Sequence, residues 1–289
     1  KLREGSTAST FDRLLAEARA AMGRRAWDDA RALAQEAVDV ARGAPDIDPA
    51  PARELLGRIE ERQALHRSLE ADFVQVGALR VGRYEVTNGE YFAFCVRRIN
   101  QAKAARDEAA LERARALWPT GWAASASNPD MRQFPSGASQ QPVGNVSFRD
   151  AEEYCRWRTE GLGVTVRLPT EAEWARAAGA DDGRAYPWGP TFDAARAAYR
   201  RMSEGPVPVT AELQGQSPFD VRHMAGNVAE WVDTVYSDPT DGDDPSSRLL
   251  KGGSFRSMAP ENLRIDARQR GGITERKPEW GFRVVVEVE

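Results

Sequence analysis

Thiols and imidazoles are scarce: the 289 residues include two cysteines and two histidines. Cys95 and Cys155 sit in apolar, helix-like contexts, YFAFCV and AEEYCRW. They are expected to be buried, reduced thiols, because the chain lacks the cysteine density of a stapled secreted domain. With His66 and His223 as the only imidazoles, no Cys/His group has the spacing of a zinc site, and a Ser-His-Asp arrangement is hard to build. Long apolar runs are missing too. None approaches the ~18 residues that a spanning helix needs, and no secretory pattern opens the sequence. No membrane partner is expected, and a cytoplasmic location is favoured. Nor does one sign of charge dominate. With 40 Lys and Arg against 44 Asp and Glu, the net charge of -4 supplies no global field for nucleic acid, and no nucleic-acid partner is expected.

What is present is the balance of a soluble globular protein, 29% charged and 41% apolar, at a length suited to one large domain with a smaller appendage. The appendage is read as residues 1–70. From Phe11 to Ala41 the chain is rich in alanine with apolar residues at helical spacing, broken at MGRRAW around Gly23. The pattern AMGRRAWDDARALAQEAV is similar to one tetratricopeptide unit, with Gly23, Trp27, Ala30, Ala34 and Ala37 at its packing positions. GAPDIDPAPA punctuates, and Arg53 to Leu69 reads as a third helix. Such repeats need about three units for a continuous core. The leader is therefore a truncated array, a hairpin that docks a partner or the rest of a larger chain, or a helical spacer.

Residues 71–289 have a different texture. FVQVGALRVGRYEVT reads as a two-stranded hairpin, followed by a helix from Asn88 to about Val96 and a charged, alanine-rich helix between Asn100 and Trp118. Ser147 caps an amphipathic helix that ends at Gly161. Pro169 and Thr170 end a strand and cap the helix TEAEWARAA, with Glu171 and Glu173 in its first turn. Trp174, Trp188 and Trp231 are expected to anchor loops that have little secondary structure of their own.

Seven motifs then stand in order: YEVTNGEYFAF, QPVGNVSFRDAEEYCRW, VRLPTEAEWARAA, YPWG, HMAGNVAEWV, LLKGGSF and GFRVV. In this the chain resembles the formylglycine-generating enzyme (sulfatase-modifying factor) domain, over residues 73–289. The resemblance implies an α+β fold, a loop-rich variant of the C-type lectin fold, here behind a helical leader. Most of the motifs are expected to be scaffold, which assigns structural roles to Arg167, Glu173, Trp174, Asn227, Trp231, Gly252, Gly253, Gly281 and Arg283. A shared fold does not settle activity.

The resemblance also implies chemistry that this chain departs from. The enzymes oxidise a substrate cysteine with copper held by two cysteines, at the third and eighth residues after the serine of GGS. Counted from Ser254, those positions are Ser257 and Asn262, and neither a hydroxyl nor an amide replaces a soft thiolate. Ala229 stands where the enzymes have a tryptophan. One calcium site of the family uses a side chain at the position of His223, two carbonyls and a glutamate at the position of Glu230; an imidazole is a poor ligand there. The acidic run SDPTDGDDPSS has no recognisable calcium spacing and is read as a solvated loop. Another branch adds a three-histidine iron site, for which two histidines are too few. No catalytic residue, metal or cofactor is therefore expected, and the chain is expected not to be an enzyme. The alternative is a formylglycine-generating-type oxidase, or another metal-dependent enzyme with atypical ligands.

The family resemblance extends to binding proteins: accessory domains of bacterial protein kinases, and the variable proteins of diversity-generating retroelements, whose variable positions lie between GGS and GFR. Here that interval is polar and arginine-rich, of the composition found where binding energy concentrates. The expected function is a ligand- or protein-binding module with a protein or other macromolecule as partner. The nominated contacts are Arg256, Ser257, Met258, Glu261, Asn262, Arg264, Asp266, Arg268, Arg270 and Trp280. For each arginine the competing reading is a salt bridge to Glu261, Asp266, Glu275 or Glu279.

Overall fold

The computed structural model describes residues 2–238, 240 and 242–287. Two residues of the acidic run at 237–247, Pro239 and Asp241, lie outside the described residues; residues 237–238 and 242–247 of that run are paired strand and not the expected loop, because Ser237 and Asp238 stand opposite Asp243 and Gly242 in an antiparallel pair. The chain divides into two compact units, 1–71 and 72–289.

The first unit is helical. It contains α1 (Leu2–Gly23), α2 (Trp27–Arg42) and α3 (Ala50–Asp72), the last running one residue past the boundary. Small residues let these helices approach: Ala18, Ala21, Ala30, Ala34, Ala37 and Ala52 are almost inaccessible, beside Leu14, Leu55 and Ile59. Trp27 packs on His66, with ring centroids 5.6 Å apart.

In the second unit β1 (Phe73–Val76) and β2 (Leu79–Gly82) form the expected antiparallel hairpin. Helix α4 (Asn88–Ala105) runs well past Val96, and left-handed Arg106 separates it from α5 (Glu108–Ala116). A two-stranded ribbon follows, β3 (Ala123–Ala124) with β4 (Arg132–Gln133). Then come α6 (Phe148–Leu162), β5 (Val166–Arg167) and α7 (Glu171–Ala178). Three of these helices start with reciprocal capping boxes, Thr87 with Glu90, Ser147 with Asp150 and Thr170 with Glu173. Each pair satisfies two backbone donors that a helix start leaves open.

The long stretch between α7 and residue 229 has only short 3₁₀ turns. It leads into β6 (Ala229–Asp238), β7 (Gly242–Lys251), β8 (Gln269–Gly272), β9 (Trp280–Gly281) and β10 (Val285–Glu287). One sheet has the order β1-β2-β10-β5 and the other β8-β7-β6-β9, in which β6 and β9 run parallel. Trp174, Val221, Met224, Val232, Leu249, Ile265 and Val285 fill one core between α7 and the strands. Trp231 is fully buried, donates its Nε1–H to the Val146 carbonyl at 3.0 Å and meets Trp280 edge-on. Trp188 differs from the expectation: it is half-buried, stacked on Tyr186 in a satellite cluster. Both cysteines are free and buried, and burial pushes both thiols up, away from reactive thiolate. No helix of the described residues is long and apolar enough to cross a membrane.

Candidate functional site

The C-terminal segment turns sharply at the end of β7. Gly252 and Gly253 have φ of 84° and 64°, a region open to glycine at little cost. A Cβ on Gly253 would come 2.6 Å from the Asn262 carbonyl oxygen and 3.0 Å from Ser257 Oγ. The glycine thus lets positions 257 and 262, the two thiol positions of the resembling enzymes, close over one point. The Ser254 N–H donates to Ser257 Oγ at 3.0 Å, and the Ser257 N–H donates back to the Ser254 carbonyl at 3.0 Å.

A second loop lies against this turn. The Arg201 N–H donates to the Phe255 carbonyl at 2.7 Å and the Arg200 N–H to the Ser257 carbonyl at 3.1 Å, while Arg200 Nε donates to the Met258 carbonyl at 2.8 Å. Arg200 lies over the Tyr199 ring, 5.6 Å from its centroid, and has no carboxylate partner among the described residues. Met202 and Met258 are 60% and 55% exposed, so a guanidinium without a carboxylate partner among the described residues and two exposed thioethers border the turn. Sequence reasoning passed over Arg200 and Met202 because it confined the surface to the interval after GGS. The signal was YRRMSEG, two arginines and a methionine in a loop without periodicity.

The nominated residues differ in their partners and in their exposure. Arg256, Ser257, Met258, Glu261 and Asn262 belong to the turn, with the Arg256 guanidinium 3.6 Å from Glu279. Arg264 chelates Asp266 at 2.8 and 2.9 Å, which holds that carboxyl below its ordinary value, in the neighbourhood of Tyr186. Arg268 makes two 2.7 Å bonds to Glu171 of α7, and Arg270 pairs with Asp244 and Ser247 of β7. Salt bridging thus accounts for these arginines, with partners other than those expected for Arg268 and Arg270. Trp280 leaves the surface set altogether. It is fully buried, because β9 pairs alongside β6 and drives the indole against Trp231.

Beneath the turn lies a buried polar network. Arg283 Nε and Nη2 each donate to Glu230 at 2.6 Å, and both residues are fully inaccessible. The same guanidinium reaches the carbonyls of Gly82 and Arg222 at 2.9 and 2.8 Å, and Trp174 Nε1 donates to Glu230 at 2.8 Å. Asn227 links this core to Glu85, donating to Oε1 at 3.0 Å. Burial pushes the Glu85 carboxyl up to about 8, against the pull of Arg283.

These residues do not fit the metals that the resemblance implies. Both Glu230 oxygens are held by Arg283 and Trp174, and His223 directs Nε2 to the Val209 carbonyl at 2.9 Å, so the calcium position is occupied by internal hydrogen bonds. Ser257 and Asn262 offer copper a hydroxyl and an amide in place of thiolates. Among the described residues, no three of His, Cys, Asp and Glu converge as a metal site.

Comparisons with known proteins follow from this geometry. Residues 28–288 match the family described as sulfatase-modifying factor enzyme 1-like domain. The chain is 29% identical over 268 residues to a hercynine oxygenase of Mycolicibacterium smegmatis, covering 80% of this chain and 58% of that protein. It is 33% identical over 139 residues to an inactive C-alpha-formylglycine-generating enzyme 2 of Bos taurus, covering 44% of this chain and 42% of that one. The solved structure of Treponema denticola variable protein 1 shares the fold at a TM-score of 0.51, with 19% identity, over 74% of this chain and 86% of that one. The chain spans just over half the length of the hercynine oxygenases it matches, 52% to 58%. The expectation that the chain is not an enzyme is corrected by these relatives, which match across most of it and are named as oxygenases.

Proposed function

Because the chain belongs to the family of sulfatase-modifying factor enzyme 1-like domains, we propose that it is the substrate-holding part of an oxygenase or oxidase. The turn at 252–262 and the loop at 199–202 form the wall of its active site. The observation that carries this reading is the Gly253 turn, which brings positions 257 and 262 together beside Arg200, a guanidinium without a carboxylate partner among the described residues. The residues at that point are poor ligands for copper, and no metal is assigned to them. What the chain supplies is recognition. Arg200 pairs with an anionic group of the substrate, as a charge-assisted bond from a planar guanidinium to a carboxylate. Ser257 and Asn262 orient it by hydrogen bonds, and the two methionines exclude water from its apolar part.

A polypeptide substrate is a second reading, favoured by the exposure of Met202 and Met258 along one border of the turn. The test is oxygen uptake with mass-spectrometric detection of oxidised product, using the protein encoded by the complete gene, with Fe(II) or Cu(I) supplied. Hercynine with a thiol donor is offered in one arm and a cysteine-containing peptide in the other. Substrate-dependent uptake that falls in Arg200→Ala supports the reading, and the productive arm identifies the substrate class. No uptake in either arm with either metal overturns it.

A further inference from the structure

A cavity of about 290 Å³ opens between the end of β2, the start of α4, α6 and the segment at 209–210, and shares no residue with the turn at 252–262. Its floor is apolar, made by Phe73, Val86, Val209 and Val284, all buried. Two opposite charges on its wall are uncommitted. Among the described residues neither Asp72 nor Arg158 makes a hydrogen bond or ion pair through its side chain, and they do not pair with each other. Arg158 Nε is moreover buried without an acceptor. A buried donor left unpaired carries a desolvation cost that a ligand oxygen would recover.

The other carboxyls of the wall are accounted for. Glu90 is engaged in the α4 capping box, receiving the Thr87 N–H at 2.9 Å and its hydroxyl at 2.8 Å. Glu85 lies behind the floor, bonded to Asn227. Asp72, Glu90 and Arg158 line this one cavity together with the buried Tyr154. One free negative charge and one free positive charge above an apolar floor match a molecule with both charges of its own and an uncharged body.

We propose that this cavity binds a free α-amino acid with an apolar side chain, its ammonium on Asp72, its carboxylate on Arg158 and its side chain on the Phe73, Val209 and Val284 floor. The volume stands at the small end of the ~300–1,000 Å³ typical of ligand pockets, which suits a single amino acid and not a nucleotide.

Calorimetric titration of the whole chain with L-valine and L-leucine tests the assignment, alongside isovalerate, isoamylamine, L-lysine and L-glutamate. Saturable binding of an apolar amino acid with a raised melting temperature is expected. Asp72→Asn and Arg158→Gln should each weaken it by roughly ten- to a hundred-fold, the loss of one charge-assisted bond. Thr210→Trp, on the exposed mouth, should block it. All three positions lie at the rim, and their variants should melt with the wild type. If a charge variant unfolds, the blocking variant and the half-charged analogues decide. Absence of binding at millimolar amino acid overturns the proposal, as does binding that survives Thr210→Trp, or an amine or acid alone that binds as well as the amino acid.

Discussion

Two arginine–carboxylate pairs of the second unit share a bidentate geometry and differ in almost everything else. Arg283 and Glu230 are fully buried, joined by two 2.6 Å bonds, and tied to two backbone carbonyls and Trp174. Arg264 and Asp266 make an equally good bidentate pair with both side chains in solvent. The first was desolvated at folding, and the neighbouring carboxyl that also acts on Arg283, Glu85, is itself buried and pushed up, so removing one member is costly. The second exchanges freely with water and is worth little. Motif-bearing residues cluster in the first class, whereas the residues that border the proposed active site belong to the second.

The sharpest way to break this contrast is Glu230→Ala. It removes both short charge-assisted bonds from the buried Arg283 guanidinium and should cost about 3–5 kcal/mol, read as a large drop in the denaturation midpoint. A near-neutral result would mean that the network is not the framework of the domain.

Next in size is Gly253→Val. A left-handed, β-branched residue costs about 1–3 kcal/mol before the collision with Asn262 is counted. Stability should fall, and turnover should be lost even where the protein stays folded, because positions 257 and 262 are forced apart. Unchanged turnover would remove the turn from the active site.

The buried network also has a pH signature. The Glu85 carboxyl rises from its usual 4.5 to about 8 on folding, so its contribution is fully present below pH 4.5 and is lost as pH rises towards 8. His223 works in the opposite direction. Burial lowers it from 6.5 to about 4, and its contribution is present above 6.5 and lost as pH falls towards 4. Denaturant titrations across this range should show that Glu85→Gln, which keeps an acceptor for Asn227, flattens the alkaline decline and leaves the acid limb intact. An unaltered alkaline limb would show that Glu85 is not the group responsible.

The smallest stability effect belongs to the exposed class. Joint replacement of Arg200, Arg256, Glu261 and Arg264 by alanine should shift stability by no more than about 1 kcal/mol, because surface pairs contribute that little. The same variant should abolish substrate-dependent oxygen uptake. A large loss of stability with normal uptake would invert the comparison.

Local features were legible from residue order because their causes act over a few residues. Thr87, Ser147 and Thr170 each bond to a backbone group three positions on, and the paired strands at 73–82 need only a short reversal. The α+β architecture was legible too, through motifs whose residues are buried for packing. The course of α4 past Val96 was not, because its last turns are held by Ile99 and Ala102, which tertiary packing buries.

Partner choice lay beyond reach of the chain order. Nothing in the order of residues says that Arg268 closes on Glu171, 97 positions away, or that Arg200 lies on Met258 with no carboxylate at hand. Trp280, nominated as a surface contact, is buried because β9 joins β6, with Ala229 opposite Trp280 and 51 positions before it in sequence. Capping, helix formation and turn preference are set by neighbours along the chain, and the sequence was sufficient for them. Whether a charge is desolvated, paired or left free depends on which distant segments meet over it, and only the folded arrangement decides that.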